Sequence, residues 1–228
     1  MKKFIKWTLS IILLVFIILT SLGFVEYKKA ISEISLKDKV AEIQARDDYV
    51  EIEDISDYVL KATVSTEDQR FYSHSGVDFI AYGRIAYVLL TTGELSGGGS
   101  TITQQLAKNL YFGYEPSIIR KFAEFFMVHD IESQYDKDTI LEIYLNIINY
   151  GDNHMGIYQA SKGYFGKEPK DLTFNEATLV VGIPQSPSNY QLSDHAENAY
   201  QRQQAVIQTL IDTQTFSEDE IKELMDSE

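Results

Sequence analysis

Between Trp7 and Val25 the chain carries nineteen consecutive residues without a charge, most of them Ile, Leu, Val or Phe, directly after Lys2, Lys3 and Lys6. At ~1.5 Å rise per residue a helix of that length nearly matches the ~30 Å hydrocarbon core of a bilayer. The flanking lysines predict a cytoplasmic N-terminus, which places everything from Glu26 onward outside the membrane. No small-x-small cleavage site follows the run, so a retained single-pass anchor is expected rather than a signal peptide. The expected division is a cytoplasmic tail (1–6), an anchor (7–25), a juxtamembrane segment (26–54), a main domain (55–213) and an acidic C-terminal helix or tail (214–228).

Beyond the anchor the balance is 17 basic against 34 acidic residues. Such a domain is a poor partner for nucleic acid and has no general attraction to anionic lipid, so its few cations merit individual inspection. The chain has no cysteine, which excludes disulfides, thiolate metal sites and a lipidated N-terminal cysteine. His74, His129, His154 and His195 are scattered, and no cluster has metal-ligand spacing. No metal ligand is assigned.

From Ile55 onward the pattern is helical. Ile140, Leu141, Tyr144, Leu145 and Ile148 recur at helix spacing within 137–149, and Ile118, Phe122, Phe125, His129 and Glu132 fall along one side of 117–132. Thr173 with Glu176, and Ser217 with Glu220, read as capping boxes that start two further helices. Strand signals are few. The expectation is a mainly α domain with one long functional loop near 93–102.

Four stretches carry polar groups that packing does not require. Glu67-Asp68 ends a predicted helix and is followed by Phe71, Tyr72 and His74, a setting in which a carboxylate can accept a proton. Gly97-Gly98-Gly99 leads through Ser100, Thr101, Gln104 and Gln105 to Lys108-Asn109, a bulk-free loop feeding donors into a helix start, which suits a phosphate. Arg120 and Lys121 stand i,i+4 and i,i+3 from Glu124, so both cations can share a helical face with the acid. Glu142 and Asn146 lie one turn apart and read equally well as a structural hydrogen-bond pair.

Taken in order, these stretches resemble the peptidoglycan glycosyltransferases of glycosyltransferase family 51, the enzymes found alone or as the first domain of class A penicillin-binding proteins. The resemblance runs from about Ile55 to Arg202. Its first motif is met by Glu67, Asp68, Phe71, His74 and Gly76, and its second is complete from Gly98 to Asn109. The third is Arg120, Lys121 and Glu124. The fourth is 140–146 with Gly151, and the fifth resembles Tyr164-Phe165-Gly166-Lys167 with Glu176, Ala177 and Pro184. The resemblance implies a lysozyme-like larger lobe and a smaller membrane-proximal jaw. It further implies polymerisation of lipid II by β-1,4 transfer with inversion and release of undecaprenyl diphosphate. Glu67 would be the base and Glu124 the second essential carboxylate, orienting the diphosphate-binding cations. Lys108, Arg120 and Lys121 would hold the diphosphate, with Arg84 beside them and Ser100, Thr101 and Gln104 as neutral donors. Asp68, His74, Gln105 and Asn109 complete the expected substrate-binding set. Sensitivity to moenomycin, the family's donor-site inhibitor, is implied as well, and a divalent cation such as Mg2+ on the diphosphate is left open.

The chain departs from the family at Pro116, flanked by Glu115, where some members carry a further basic residue. It departs again at Tyr190-Gln191-Leu192, where Tyr-x-Pro is usual. No Ser-x-x-Lys domain follows within the 228 residues, so a monofunctional enzyme is expected, with cross-linking left to a separate penicillin-binding transpeptidase. Two rivals remain: a lysozyme-like hydrolase of the same glycan, and a non-catalytic scaffold of a wall-synthesis complex. A hydrolase has no diphosphate to hold, which the cation set argues against.

Overall fold

The computed structural model describes residues 2–94, 98–113 and 116–227. Gly97 of the glycine run and Glu115 therefore lie outside the described residues. The described residues are mostly helical: α1 (Lys2–Glu33), α2 (Leu36–Gln44), α3 (Asp57–Glu67), α4 (Phe79–Thr92), α5 (Ile102–Ala107), α6 (Ile118–Gln134), α7 (Lys137–Ile147), α8 (Ile157–Phe165), α9 (Phe174–Gly182), α10 (Pro187–Tyr190), α11 (Leu192–Asp212) and α12 (Glu218–Asp226). Among the described residues the only β pairing is an isolated bridge between Asn149 and Met155.

Helix starts follow the local chemistry. Ser117 and Asp136 accept backbone N–H groups at the heads of α6 and α7. The boxes at Thr173–Glu176 and Ser217–Glu220 close α9 and α12 reciprocally, satisfying donors that a bare helix end would leave orphaned. The core is built from α3, α5, α6, α7 and α9, with Val59, Ile102, Met127, Leu141, Tyr144 and Phe174 fully enclosed.

α1 is long and apolar enough to span a membrane, and Leu9 to Ile18 are largely outside the packed core. Its C-terminal half lies along α6. Gly23 permits the close approach, since a Cβ there would overlap Phe122. Phe16 meets Phe122 edge-on at 5.6 Å between ring centroids, Phe126 stacks against Phe24 and Tyr27, and the Tyr27 phenol donates to Asp130. α6 is therefore apolar on two sides. Its core stripe is Ala123, Met127, Val128 and Ile131, whereas Ile118, Phe125 and His129 face outward. The stripe read from the sequence thus splits: Phe122 meets the anchor, Glu132 pairs with Thr103 and Lys137, and Ile118, Phe125 and His129 are exposed.

The segment read as juxtamembrane divides in two. Residues 26–33 continue α1, but 36–54 belong to the folded body: Leu36, Val40, Ile43 and Val50 are all buried. Two polar side chains of α7 pin this stretch. Asn146 Oδ1 accepts from Val50 N at 2.9 Å while its Nδ2 donates to Val50 O at 2.8 Å, and Glu142 Oε2 accepts from Ile52 N at 2.8 Å. A modestly apolar, charged sequence reads as a stalk only while the groups that satisfy its backbone are out of sight.

Candidate active site

Glu67 is the last residue of α3. Its carboxylate is partly exposed and lines a cleft with Arg84 of α4 and Gly98, Gly99 and Ser100 of the glycine loop. Gln105 Nε2 donates to Glu67 Oε2 at 2.7 Å.

The wall beneath is a network of buried polar groups. Asp68 is 7% exposed and faces His74, whose Nε2 lies 2.8 Å from Asp68 Oδ1. His74 Nδ1 accepts from Gly76 N, so the ring's proton sits on Nε2 and points at Asp68. Asp68 Oδ2 also accepts from Ile102 N at the start of α5. Burial raises the Asp68 carboxyl above its ordinary pKa, partly offset by His74. Thr101 caps α5 and donates to Gly76 O at 2.6 Å, while Gln104 returns the capping bond and meets the Tyr82 phenol. Thr103 donates to Glu132, which also pairs with Lys137. Asp68, His74, Thr101 and Gln104, read in the sequence as substrate contacts, are engaged in fixing α5 against the first motif, and Asp68 and Thr101 also line the cleft.

Gly76 is the hinge of that wall. Its φ of +82° suits glycine, and a Cβ would overlap Val128 while crowding Glu132. Gly76→Ala is expected to destabilise the protein by about 2 kcal/mol or more, combining backbone strain with overpacking. Thermal unfolding of the purified variant checks this, and an unchanged Tm would contradict it.

α5 is only six residues long and runs straight into a π-helical turn, Lys108–Phe112. Such turns recur at functional sites because they re-aim side chains; here the turn carries Lys108 and Asn109. Lys108 is half-buried, and desolvation together with the nearby Lys121 lowers its pKa below 10.5, with Glu124 acting in the opposite sense. Arg120 Nε lies 3.0 Å from Glu124 Oε1 and Lys121 Nζ lies 2.7 Å from Oε2, around a carboxylate with no exposed surface. Lys121 Nζ also comes within 3.5 Å of Ser100 Oγ, which joins the cation cluster to the cleft containing Glu67. Three cations thus converge on one buried carboxylate, an imbalance that favours an anionic ligand. Among the described residues no cluster of His, Asp and Glu is placed to hold a metal.

An all-α body in which a cleft carboxylate stands near cations of α6 and of the turn after α5 fits the class of transglycosylases. The family model for transglycosylases matches residues 36–211, and the chain belongs to that family. It is 42% identical over 154 residues to penicillin-binding protein 1A of Vibrio cholerae, covering 68% of this chain and 19% of the relative. It is 41% identical over 167 residues to penicillin-binding protein 2D of Bacillus subtilis, covering 73% and 24%, and 41% identical over 154 residues to penicillin-binding protein 1A of Escherichia coli, covering 68% and 18%. The chain thus spans about a fifth to a quarter of the length of these relatives. The family match begins at residue 36, where burial of Leu36 also brings the chain into the core.

Sequence reasoning missed Tyr144 and Glu132 as site supports. Tyr144 looked like core, and it is core. The available signal was a phenol inside an aliphatic stripe, since a buried hydroxyl requires a partner.

Proposed function

We propose that this chain polymerises lipid II into peptidoglycan glycan strands by inverting β-1,4 transfer, releasing undecaprenyl diphosphate. It would do so as a single-pass membrane protein with the catalytic body on the outer face. The observation that carries this reading is the closeness of the partly exposed Glu67 carboxylate to the Lys108–Arg120–Lys121 cluster: Glu67 shares its cleft with Ser100, whose Oγ lies 3.5 Å from Lys121 Nζ, and its charge acts on Lys108.

In the proposed mechanism Glu67 accepts the proton of the acceptor's 4-hydroxyl as that oxygen attacks the anomeric carbon of the lipid-linked donor. The bond to the diphosphate breaks with its electron pair on the departing oxygen. Lys108, Arg120 and Lys121 hold that charge, with Arg84 and Ser100 at the cleft wall. Glu124, wholly buried between Arg120 and Lys121, is suited to positioning cations rather than to donating a proton. A diphosphate whose charge is held leaves without a strong acid. A divalent cation on the diphosphate would be carried by the substrate, and cross-linking would fall to a separate transpeptidase.

The test is incubation of the detergent-solubilised full-length protein with lipid II, followed by digestion of the product with a muramidase. Release of undecaprenyl diphosphate, with polymer that the muramidase reduces to disaccharide units, is the expected result. Shortening of preformed glycan without lipid II turnover would instead favour the hydrolase.

The lowered pKa of Lys108 has a directional consequence. A bound dianion favours the ammonium form, so affinity is full while Lys108 is protonated and falls as pH rises through its depressed pKa. The KM for lipid II is expected to climb on the alkaline side before an ordinary lysine, at 10.5, would titrate. Lys108→Ala should weaken donor binding and turnover about tenfold or more and remove this alkaline limb. An unaltered KM profile in the variant would exclude Lys108 from the donor site.

A further inference from the structure

Gln105 bridges two elements that otherwise do not share chemistry. On one side its Nε2 donates to Glu67 Oε2 at 2.7 Å; on the other its Oε1 accepts from the Tyr144 hydroxyl at 3.1 Å. Tyr144 lies on α7 with no exposed surface and is packed within the aliphatic core. The polarity of this chain is set by elementary donor–acceptor rules. An ionised carboxylate only accepts, so the amide edge facing Glu67 must be the NH2 group. The carbonyl edge then faces Tyr144, whose phenol must donate. Rotating the amide by half a turn would set C=O against carboxylate, so Glu67 fixes the amide's orientation and the Tyr144 hydroxyl anchors its carbonyl end to the core.

We propose that Tyr144 and Gln105 are positioning residues for the reacting carboxylate, a relay Tyr144 O–H to Gln105 C=O and Gln105 N–H to Glu67. Through it the rigid core fixes which Glu67 oxygen is engaged and which meets the acceptor hydroxyl. This rests on the reading of Glu67 as base and reassigns Gln105 from substrate contact to support. Oε2 is occupied by the amide, and among the described residues Oε1 has no protein donor, so it is the oxygen available to the incoming hydroxyl. Gln105 is held in turn by α5, whose N-terminus is tied to Asp68 and Gly76. The carboxylate's geometry is thereby coupled to the core on one side and to the glycine-loop helix on the other.

The other charged and titratable groups around Glu67 are Asp68 in the following turn, Lys108 of the π-helical turn, Tyr150 after α7, Arg84 of α4, and the Arg70–Asp78 pair lining the cleft. None is altered by the test variants. The experiment measures lipid II polymerisation by the full-length protein from pH 5 to 9 for wild type, Tyr144→Phe, Gln105→Leu, the double variant and Glu67→Gln. Tyr144→Phe removes one oxygen and is expected to lower kcat about tenfold across the profile with KM nearly unchanged. Gln105→Leu should do the same more strongly, and adding Tyr144→Phe to it should cost nothing further, because the relay is already cut.

A Tyr144→Phe profile superimposed on wild type, or an effect that multiplies fully with Gln105→Leu, would overturn the relay. A Glu67→Gln enzyme that still polymerises would instead overturn the base assignment beneath it. If one single variant does not fold, as read by thermal unfolding, the other's pH profile decides the matter.

Discussion

Glu67→Gln is expected to abolish glycan polymerisation while leaving lipid II binding nearly intact. The substitution keeps shape and volume at the end of α3 and removes the negative charge and with it the ability to accept a proton. Glu67 is partly exposed to the cleft, so a neutral amide there incurs no large burial penalty. A positioned general base typically contributes about 10²–10⁴ in rate, and a loss of that size is expected in kcat. KM should change little, because the charges proposed to hold the donor lie in the Lys108–Arg120–Lys121 cluster. The Gln105 amide, set to donate toward a carboxylate, can still donate to the new carbonyl oxygen, so the fold should be undisturbed. Polymerisation rate and lipid II binding, measured on the same preparation, check both halves. Substantial turnover by the variant would remove Glu67 from the role of base.

Glu124→Gln is expected to damage stability and activity together. The carboxylate has no exposed surface and is the common partner of Arg120 at 3.0 Å and Lys121 at 2.7 Å. Replacing it leaves two neighbouring cations facing each other and Lys108 without the negative charge that opposes their field. Breaking a buried ion pair by removing one partner costs about 3–5 kcal/mol. The lower end applies, since the Lys121 side chain is 43% exposed and can turn to water. About 3 kcal/mol corresponds to a fall in Tm of roughly 6–12 °C for a chain of this size. Activity should fall on the order of 10²-fold, as expected when a charge-stabilising group loses its orientation. Thermal unfolding and kcat/KM separate the two effects. A variant of unchanged Tm and reduced activity would mean that Glu124 acts on substrate directly, and one unchanged in both would remove it from the account.

Much of the fold was legible because local rules were strong. The capping boxes at Thr173 and Ser217, the helix ending at Glu67 and the uninterrupted apolar run of α1 each follow from short-range chemistry that tertiary context did not override. The segment 36–54 was less legible. Its burial depends on Asn146 and Glu142 reaching from α7 to its backbone, and such partners across about ninety residues leave no local trace. The motifs named residues that the fold gathers around one cleft, but residue type alone did not divide their labour. A threonine or glutamine after a glycine loop can point at a ligand or back at its own helix, and Thr101 and Gln104 do the latter. Asp68 and His74 similarly serve the N-terminus of α5. Gln105 and Tyr144 show the reverse, with a side chain that reads as core supporting the proposed chemistry from beneath.

The most direct test of glycosyl transfer as the activity of this cleft is a gel of glycan chain length after incubating the full-length protein with lipid II, with moenomycin and Glu67→Gln alongside. A ladder of growing strands is expected from the wild type, suppressed by moenomycin and absent from Glu67→Gln. No ladder from an intact, folded wild-type preparation, or one of equal strength from Glu67→Gln, would contradict it.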